Sequence, residues 1–214
     1  ADYEALFSSS RSRWQFEAST SYMACPEAPA NLQAYAPQAR IILLTRNPLE
    51  RSLSHYRLAR RTGRVTHSLR QALQEEQIGA IDLAARFLLR PSRQWPGCAR
   101  VKALFDPAQI LSIEFEKLIA SPQTCLHEIA SFLNVDLRGF DLSVQARNAS
   151  MAPRFDRLNC LLETSGFKTI LRHHLPLRVK AMLKPIWFDT SRMIDISSED
   201  RLRVACALDI ACAC

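Results

Sequence analysis

Ile41-Ile42-Leu43-Leu44-Thr45-Arg46-Asn47-Pro48-Leu49-Glu50-Arg51-Ser52-Leu53-Ser54-His55-Tyr56 is the stretch whose reading decides the fold. Residues 41–45 form an unbroken β-branched and Leu-rich run, preceded by Pro37 and followed by Asn47-Pro48. Such a run predicts a strand, over 39–46, buried on both faces of a parallel sheet. Pro48 suits the first position of a helix, where a missing N–H is no loss. Leu49, Leu53 and Tyr56 then recur at helical spacing, with Arg51, His55 and Arg57 between them. The segment therefore reads strand, short turn, amphipathic helix, with Arg46 at the strand's carboxyl end and Ser54 about two turns into the helix. Ligands of open α/β sheets bind outside the carboxyl ends of the strands. An arginine emerging there offers a planar fork of donors to phosphate oxygens, and a serine hydroxyl adds a neutral hydrogen bond. The plainer alternative for Arg46 is an ion pair with a carboxylate such as Glu50.

Outward from this junction the chain predicts alternating helices and strands. Upstream lie a short helix over 2–7, a polar loop over 8–13, a strand over 14–17, and a helix over 26–35 closed by Pro37. Downstream, helices are expected over 68–77, 81–89 and 95–105, then a turn at Asp106-Pro107 and a strand over 109–115. Ser121 and Pro122 signal the next helix start, with Leu126, Ile129, Ala130 and Leu133 as its buried stripe. Residues 141–154 lack periodicity and read as a loop; further helices are expected over 158–170, 175–183 and 198–210, the last with Glu199-Asp200 in its first turn. This alternation argues for an α/β fold, a parallel sheet flanked by helices, in a single domain over 1–214.

The 214 residues carry a formal net charge of +7, with 48% hydrophobic and 23% charged residues, which excludes a disordered chain. The positive excess suits an anionic ligand. It also permits nonspecific nucleic-acid binding, but no reading module or aromatic stacking stripe accompanies it, and no nucleic-acid partner is expected. Arg57, Arg60, Arg61 and Arg64 are expected to line a solvated helix side. Seven cysteines, at 25, 98, 125, 160, 206, 212 and 214, form an odd and scattered set that fits a reducing, cytoplasmic compartment. Cys206, Cys212 and Cys214 lack a second ligand pair at zinc spacing, so no metal is expected. No apolar run reaches the roughly 20 residues of a membrane span, and the present start carries no signal peptide. None of the five glycines lies in a Walker-type pattern, and no Gly-x-Ser-x-Gly elbow supports covalent hydrolysis.

Taken together, several blocks resemble the sulfotransferases that use 3′-phosphoadenosine-5′-phosphosulfate (PAPS). Arg46-Asn47-Pro48 with Ser54 resembles the family's strand-turn-helix cofactor motif, and residues 16–23 look like its Glu-Lys-(Thr/Ser)-Pro-x-Tyr segment. Residues 109–118 resemble its second strand, and Ser121-Pro122 through Phe132-Leu133-Asn134-Val135 its helix ending in Phe-Leu-Gly-Val. The resemblance implies a P-loop NTPase-like three-layer fold, PAPS as donor, no metal, and transfer of a sulfuryl group to a hydroxyl or amine of an acceptor, a carbohydrate or small molecule. It implies that Arg46 and Ser54 hold the donor's 3′-phosphate, and that Arg154 falls where a basic loop covers that phosphate. It gives Glu114 and Glu116, which a period-two strand would put on one face, a structural role in anchoring the strand end.

The departures are equally specific. The family's Lys-x-Gly-Thr-Thr-like loop and its Glu-bearing segment are absent, so either the chain is incomplete at its amino terminus, with the base and the leaving-group lysine expected upstream, or the family's loop has been lost. Glu17, beside Ser19, Ser21 and Tyr22, could accept a hydroxyl proton, although the resemblance places the base earlier. Ala18 stands where glycan and heparan-sulfate sulfotransferases often carry a lysine, which leaves the acceptor unread. The chain alone is expected to be weak or inactive; a noncatalytic nucleotide-binding remnant or interaction module is the alternative, and oligomeric state is not legible.

Overall fold

A computed structural model describes residues 14–79, 88–139, 152–166, 176, 179, 182, 188–189 and 194–209. Strand β1 spans Ile41–Thr45 and pairs in parallel with β2, Ile110–Glu114, in a register that sets Ile41 opposite Ile110 and Thr45 opposite Glu114. Parallel partners need a long crossover. Here it contains α2 (Pro48–Thr62), α3 (Leu69–Gln77), a 3₁₀ turn (Arg90–Ser92), α4 (Trp95–Leu104) and a second 3₁₀ turn (Pro107–Gln109), while α1 (Ala28–Tyr35) precedes β1. After β2 come α5 (Phe115–Ala120), α6 (Pro122–Leu133), a two-residue strand β3 (Ala152–Pro153), α7 (Asp156–Thr164), β4 (Phe188–Asp189) and α8 (Ser198–Ala207). Strands β3 and β4 pair antiparallel.

Two apolar clusters flank this frame. Leu43 packs against Cys98, Val101 and Phe105 at α4, with Met23 and Leu32 at the margin. The second cluster joins Leu53, Tyr56 and Ala59 of α2 to Leu69, Ala72 and Leu73 of α3, to Leu88 and Leu89, and to Val204 of α8. The helical spacing read from the sequence of α2 thus marks its buried face. Burial of β1 differs from expectation: Leu43 is buried, but Ile42 and Leu44 remain 37% and 45% exposed. The strand alternates, whereas Ile113 of β2, opposite Leu44, is 2% exposed, and α6 packs against β2.

Local chemistry sets most helix ends. Asn47 caps α2 by accepting from the Glu50 N–H at 3.1 Å, and Ser68 and Gln71 close a capping box on α3. Ser197 caps α8 above its acidic first turn. Pro122 does open α6, but Ser121 makes no side-chain cap bond; Cys125, Ala130 and Leu133 are buried, with Leu126 and Ile129 half-buried. The short helix α5 replaces the end of the expected strand. Residues 14–17 form no strand, no neighbouring strand pairs with them, and Phe16 is exposed. Leu88 and Leu89 lie in a bend rather than a helix. The rest of the helix expected over 81–89, the segments over 2–7 and 8–13, and most of those over 141–154 and 175–183 lie outside the described residues.

The arginine cluster is not a solvated face. Arg57 donates to the Ile194 carbonyl at 3.3 Å, Arg60 to the Tyr56 hydroxyl and His67 carbonyl, and Arg64 pairs with Glu163 at 3.3 Å. Arg61 contributes its carbonyl to the Asn159 amide at 3.0 Å. That fully buried Asn159 faces Gly63, which ends α2 at φ 85°. A Cβ on Gly63 would lie 2.7 Å from the Asn159 carbonyl oxygen. Gly63→Ala therefore combines a left-handed backbone with a backbone clash, and chemical denaturation is expected to show a loss of about 2 kcal/mol or more.

Candidate functional site

The register of the parallel pair assembles the site. Because Thr45 lies opposite Glu114, the residues that follow each strand also meet. The Arg46 guanidinium sits over the Phe115 ring, 4.6 Å from its centroid, a cation–π contact. The Arg46 N–H donates to Gln94 Oε1 at 2.9 Å, and the Asn47 N–H donates to Glu116 Oε1 at 3.1 Å. Backbone and side chain of the turn are thus held from the segment before α4 and from α5. Glu114 closes β2 while Glu116 belongs to α5, so the two carboxylates do not share a strand face, and Glu116 holds the turn after β1 rather than the end of its own strand.

The opening of α2 is already occupied: Pro48 has no N–H, Asn47 caps Glu50, and Glu116 takes the Asn47 N–H. An anion at this junction must therefore be gripped mainly by side chains. Arg46 is the candidate at this position. Its Nε is buried and has no hydrogen-bond partner, and Glu50, the carboxylate that could have neutralised it, pairs instead with Arg201 of α8. A buried donor left without an acceptor costs about 1–3 kcal/mol. That cost is removed when an acceptor enters.

Ser54 is half-buried on α2, and its hydroxyl makes no hydrogen bond among the described residues. Arg51, three residues earlier on the same side of the helix, was passed over in the sequence as one of the polar residues between apolar positions. Its Nη1 lies 3.4 Å from Ser92 Oγ, and burial, then the charge of Arg46, lowers its proton affinity. The signal that could have found it is its i, i+3 relation to Ser54. Arg154 is exposed and directly follows β3, which packs against α2. Glu17 is exposed and accepts from the Tyr22 hydroxyl at 2.7 Å. The segment that supplies Gln94 also lines, through Arg90, Arg93 and Pro96, a cleft of about 580 Å³ that includes Arg100 and Met23. Among the described residues no group of three His, Cys, Asp or Glu side chains could hold a metal. None of the described helices is long and apolar enough to cross a membrane.

The family model described as the Sulfotransferase family matches residues 3–139. A solved sulfotransferase from Alicyclobacillus acidocaldarius is similar at 26% identity and a TM-score of 0.61, over 68% of this chain and 60% of that one. This chain thus spans 60% of the length of that enzyme. The sulfotransferase domain from the curacin biosynthetic pathway is 20% identical, with a TM-score of 0.47, over 97% of this chain and 66% of that domain. No curated protein matches the chain.

Asn47 is the residue on which the turn's geometry is most exposed to test. Replacing it with Ala removes the α2 cap, and denaturant unfolding is expected to show a loss of about 1 kcal/mol.

Proposed function

This chain belongs to the sulfotransferase family, and from that premise we propose that it binds PAPS through a 3′-phosphate seat at Arg46 and Ser54. The fold is α/β and P-loop NTPase-like, with a small parallel sheet and flanking helices. The observation that carries the proposal is the buried, unpartnered Arg46 Nε at the carboxyl end of β1, beside a capped helix start and with Glu50 committed to Arg201. Arg154, which β3 brings to the neighbourhood of α2, would add a further cation over the phosphate.

In this reading the chain's residues fix one end of the donor. Arg46 offers charge-assisted hydrogen bonds to the 3′-phosphate, Ser54 adds a neutral one, and the Phe115 ring holds the guanidinium in place. Anchoring the phosphate sets the register of the sulfuryl group, so that an acceptor hydroxyl or amine attacks sulfur in line with the leaving phosphate oxygen. The new bond forms from the acceptor oxygen or nitrogen to sulfur, the bond from sulfur to the phosphate oxygen breaks, and the acceptor proton passes to a base. The products are a sulfated acceptor and adenosine 3′,5′-bisphosphate. Glu17, whose exposed carboxylate accepts from the Tyr22 hydroxyl, is not assigned as that base, because the resemblance places the base earlier in the chain. The acceptor is read as a carbohydrate or small molecule, and the 214-residue chain alone as weak or inactive, because the sequence shows neither the family's Lys-x-Gly-Thr-Thr-like loop nor its Glu-bearing segment.

Calorimetric titration with adenosine 3′,5′-bisphosphate is expected to show binding that adenosine 5′-monophosphate does not match. Arg46→Ala is expected to weaken it by about ten- to a hundredfold and Ser54→Ala by about two- to tenfold. Equal binding of the two nucleotides would contradict the assignment of the 3′-phosphate seat. Turnover of PAPS by this chain at an ordinary enzymatic rate would contradict the assignment of weak activity.

A further inference from the structure

We propose that the cleft walled by Arg90, Arg93 and Arg100 is a second anion site, separate from the phosphate seat, which takes a small organic molecule bearing one carboxylate or sulfate group on an apolar body. The sulfuryl-transfer reading supplies two sources for that chemistry, an acidic acceptor or the sulfated product. The site itself stands without the reading of Arg46.

Four stretches remote in sequence meet here: residues 23–26, the end of α3, residues 89–100 and the last residue of α8. The volume of about 580 Å³ falls within the roughly 300–1,000 Å³ of small-molecule sites. Met23, Pro26 and Pro96 give it an apolar wall beside the three arginines. Such a wall suits a carbon body, and a guanidinium fork suits the oxygens of a carboxylate or sulfate.

The plainer reading of these arginines is that they are tethers. Arg93 Nη2 donates to the Ala207 carbonyl at 2.8 Å, at the end of α8, and Arg100 Nη2 donates to the Met23 carbonyl at 3.1 Å. Both acceptors are neutral, so tethering leaves the charge in place. Among the lining residues, three guanidiniums face one carboxylate, Glu76, whose oxygens already accept from the N–H groups of Leu88, Leu89 and Arg90. Asp209 lies 4.0 Å from Arg93, but its side chain is 85% exposed. Arg100 forms no ion pair among the described residues, and its Nε is buried without an acceptor. The excess field reaches Glu27, next to the lining Pro26. That carboxyl is held below its usual range by hydrogen bonds from its own backbone and from the Cys25 thiol, and then by the charges of Arg100 and Arg90.

Gln94 relates the two sites. It stands between Arg93 and Pro96 and accepts the Arg46 N–H at 2.9 Å, while Arg46 is not among the described residues that line the cleft. The cleft thus borders the phosphate seat through one turn of chain and shares no described cation with it.

The test is calorimetric titration of the 214-residue chain with benzoate, with benzamide as its neutral counterpart, and with phenyl sulfate. Benzoate is expected to bind about tenfold or more tighter than benzamide. Arg100→Gln is expected to weaken benzoate by about tenfold and to change benzamide little. Saturating adenosine 3′,5′-bisphosphate is expected to leave benzoate bound. The tighter of benzoate and phenyl sulfate identifies the source, a carboxylate-bearing acceptor or a sulfated product, and either order supports the site. Equal binding of benzoate and benzamide, or no binding of either anion, overturns the proposal without any variant. Displacement of benzoate by the bisphosphate also overturns it, since the anion would then occupy the nucleotide seat. A folded Arg100→Gln with wild-type affinity for benzoate does the same. A chain that binds benzoate but no bisphosphate keeps this site and removes the seat at Arg46. If thermal melting shows Arg100→Gln unfolded because Met23 has lost its tether, Arg90→Gln decides: it is expected to weaken benzoate by about three- to tenfold, and unchanged affinity overturns the assignment.

Discussion

The parallel ladder that ends with Thr45 opposite Glu114 sets the position of every group at the site. A slip of one residue would turn each side chain of a strand to the other face. Here it would carry Leu43 out of its cluster with Cys98, Val101 and Phe105, so core packing holds the register. With the register held, the first residues beyond the two strands must meet. Arg46 lands on Phe115 and Asn47 on Glu116, and the helix that carries Arg51 and Ser54 starts at a defined point.

What singles this junction out as a candidate site is its polar accounting. Buried polar groups in folded proteins are almost always satisfied. The neighbouring segment illustrates the rule: the Glu76 carboxylate accepts from the N–H groups of Leu88, Leu89 and Arg90 at 2.7 to 2.9 Å. Asn47, Gln94 and Glu116 likewise satisfy the turn's backbone. Arg46 Nε is one of a few buried side-chain nitrogens without an acceptor among the described residues, and it lies beside an aromatic ring at the carboxyl end of β1. The nearby carboxylates are used to build the scaffold rather than to neutralise that charge.

Much of this was legible in the sequence because the signals are local. The run 41–45 ending in Asn-Pro marks β1 and the start of α2, and the Leu53 and Tyr56 spacing marks the buried helix face. Arg46 could be singled out because strand end, turn and helix start coincide there. What could not be read depends on contacts distant in sequence. The exposure of Ile42 and Leu44 depends on what packs over β1, and a strand over 14–17 on a partner to pair with, neither of which is local in sequence. Arg57 and Arg64 looked solvated because their partners, Ile194 and Glu163, lie about a hundred residues away or more.

The central claim is that the carboxyl end of β1 receives a nucleotide 3′-phosphate. The most direct measurement is a crystal structure of the chain with adenosine 3′,5′-bisphosphate. The expected result is the 3′-phosphate within hydrogen-bond distance of Arg46 and Ser54. A nucleotide lodged instead in the cleft of Arg90, Arg93 and Arg100, with Arg46 still resting unpartnered on Phe115, would contradict it.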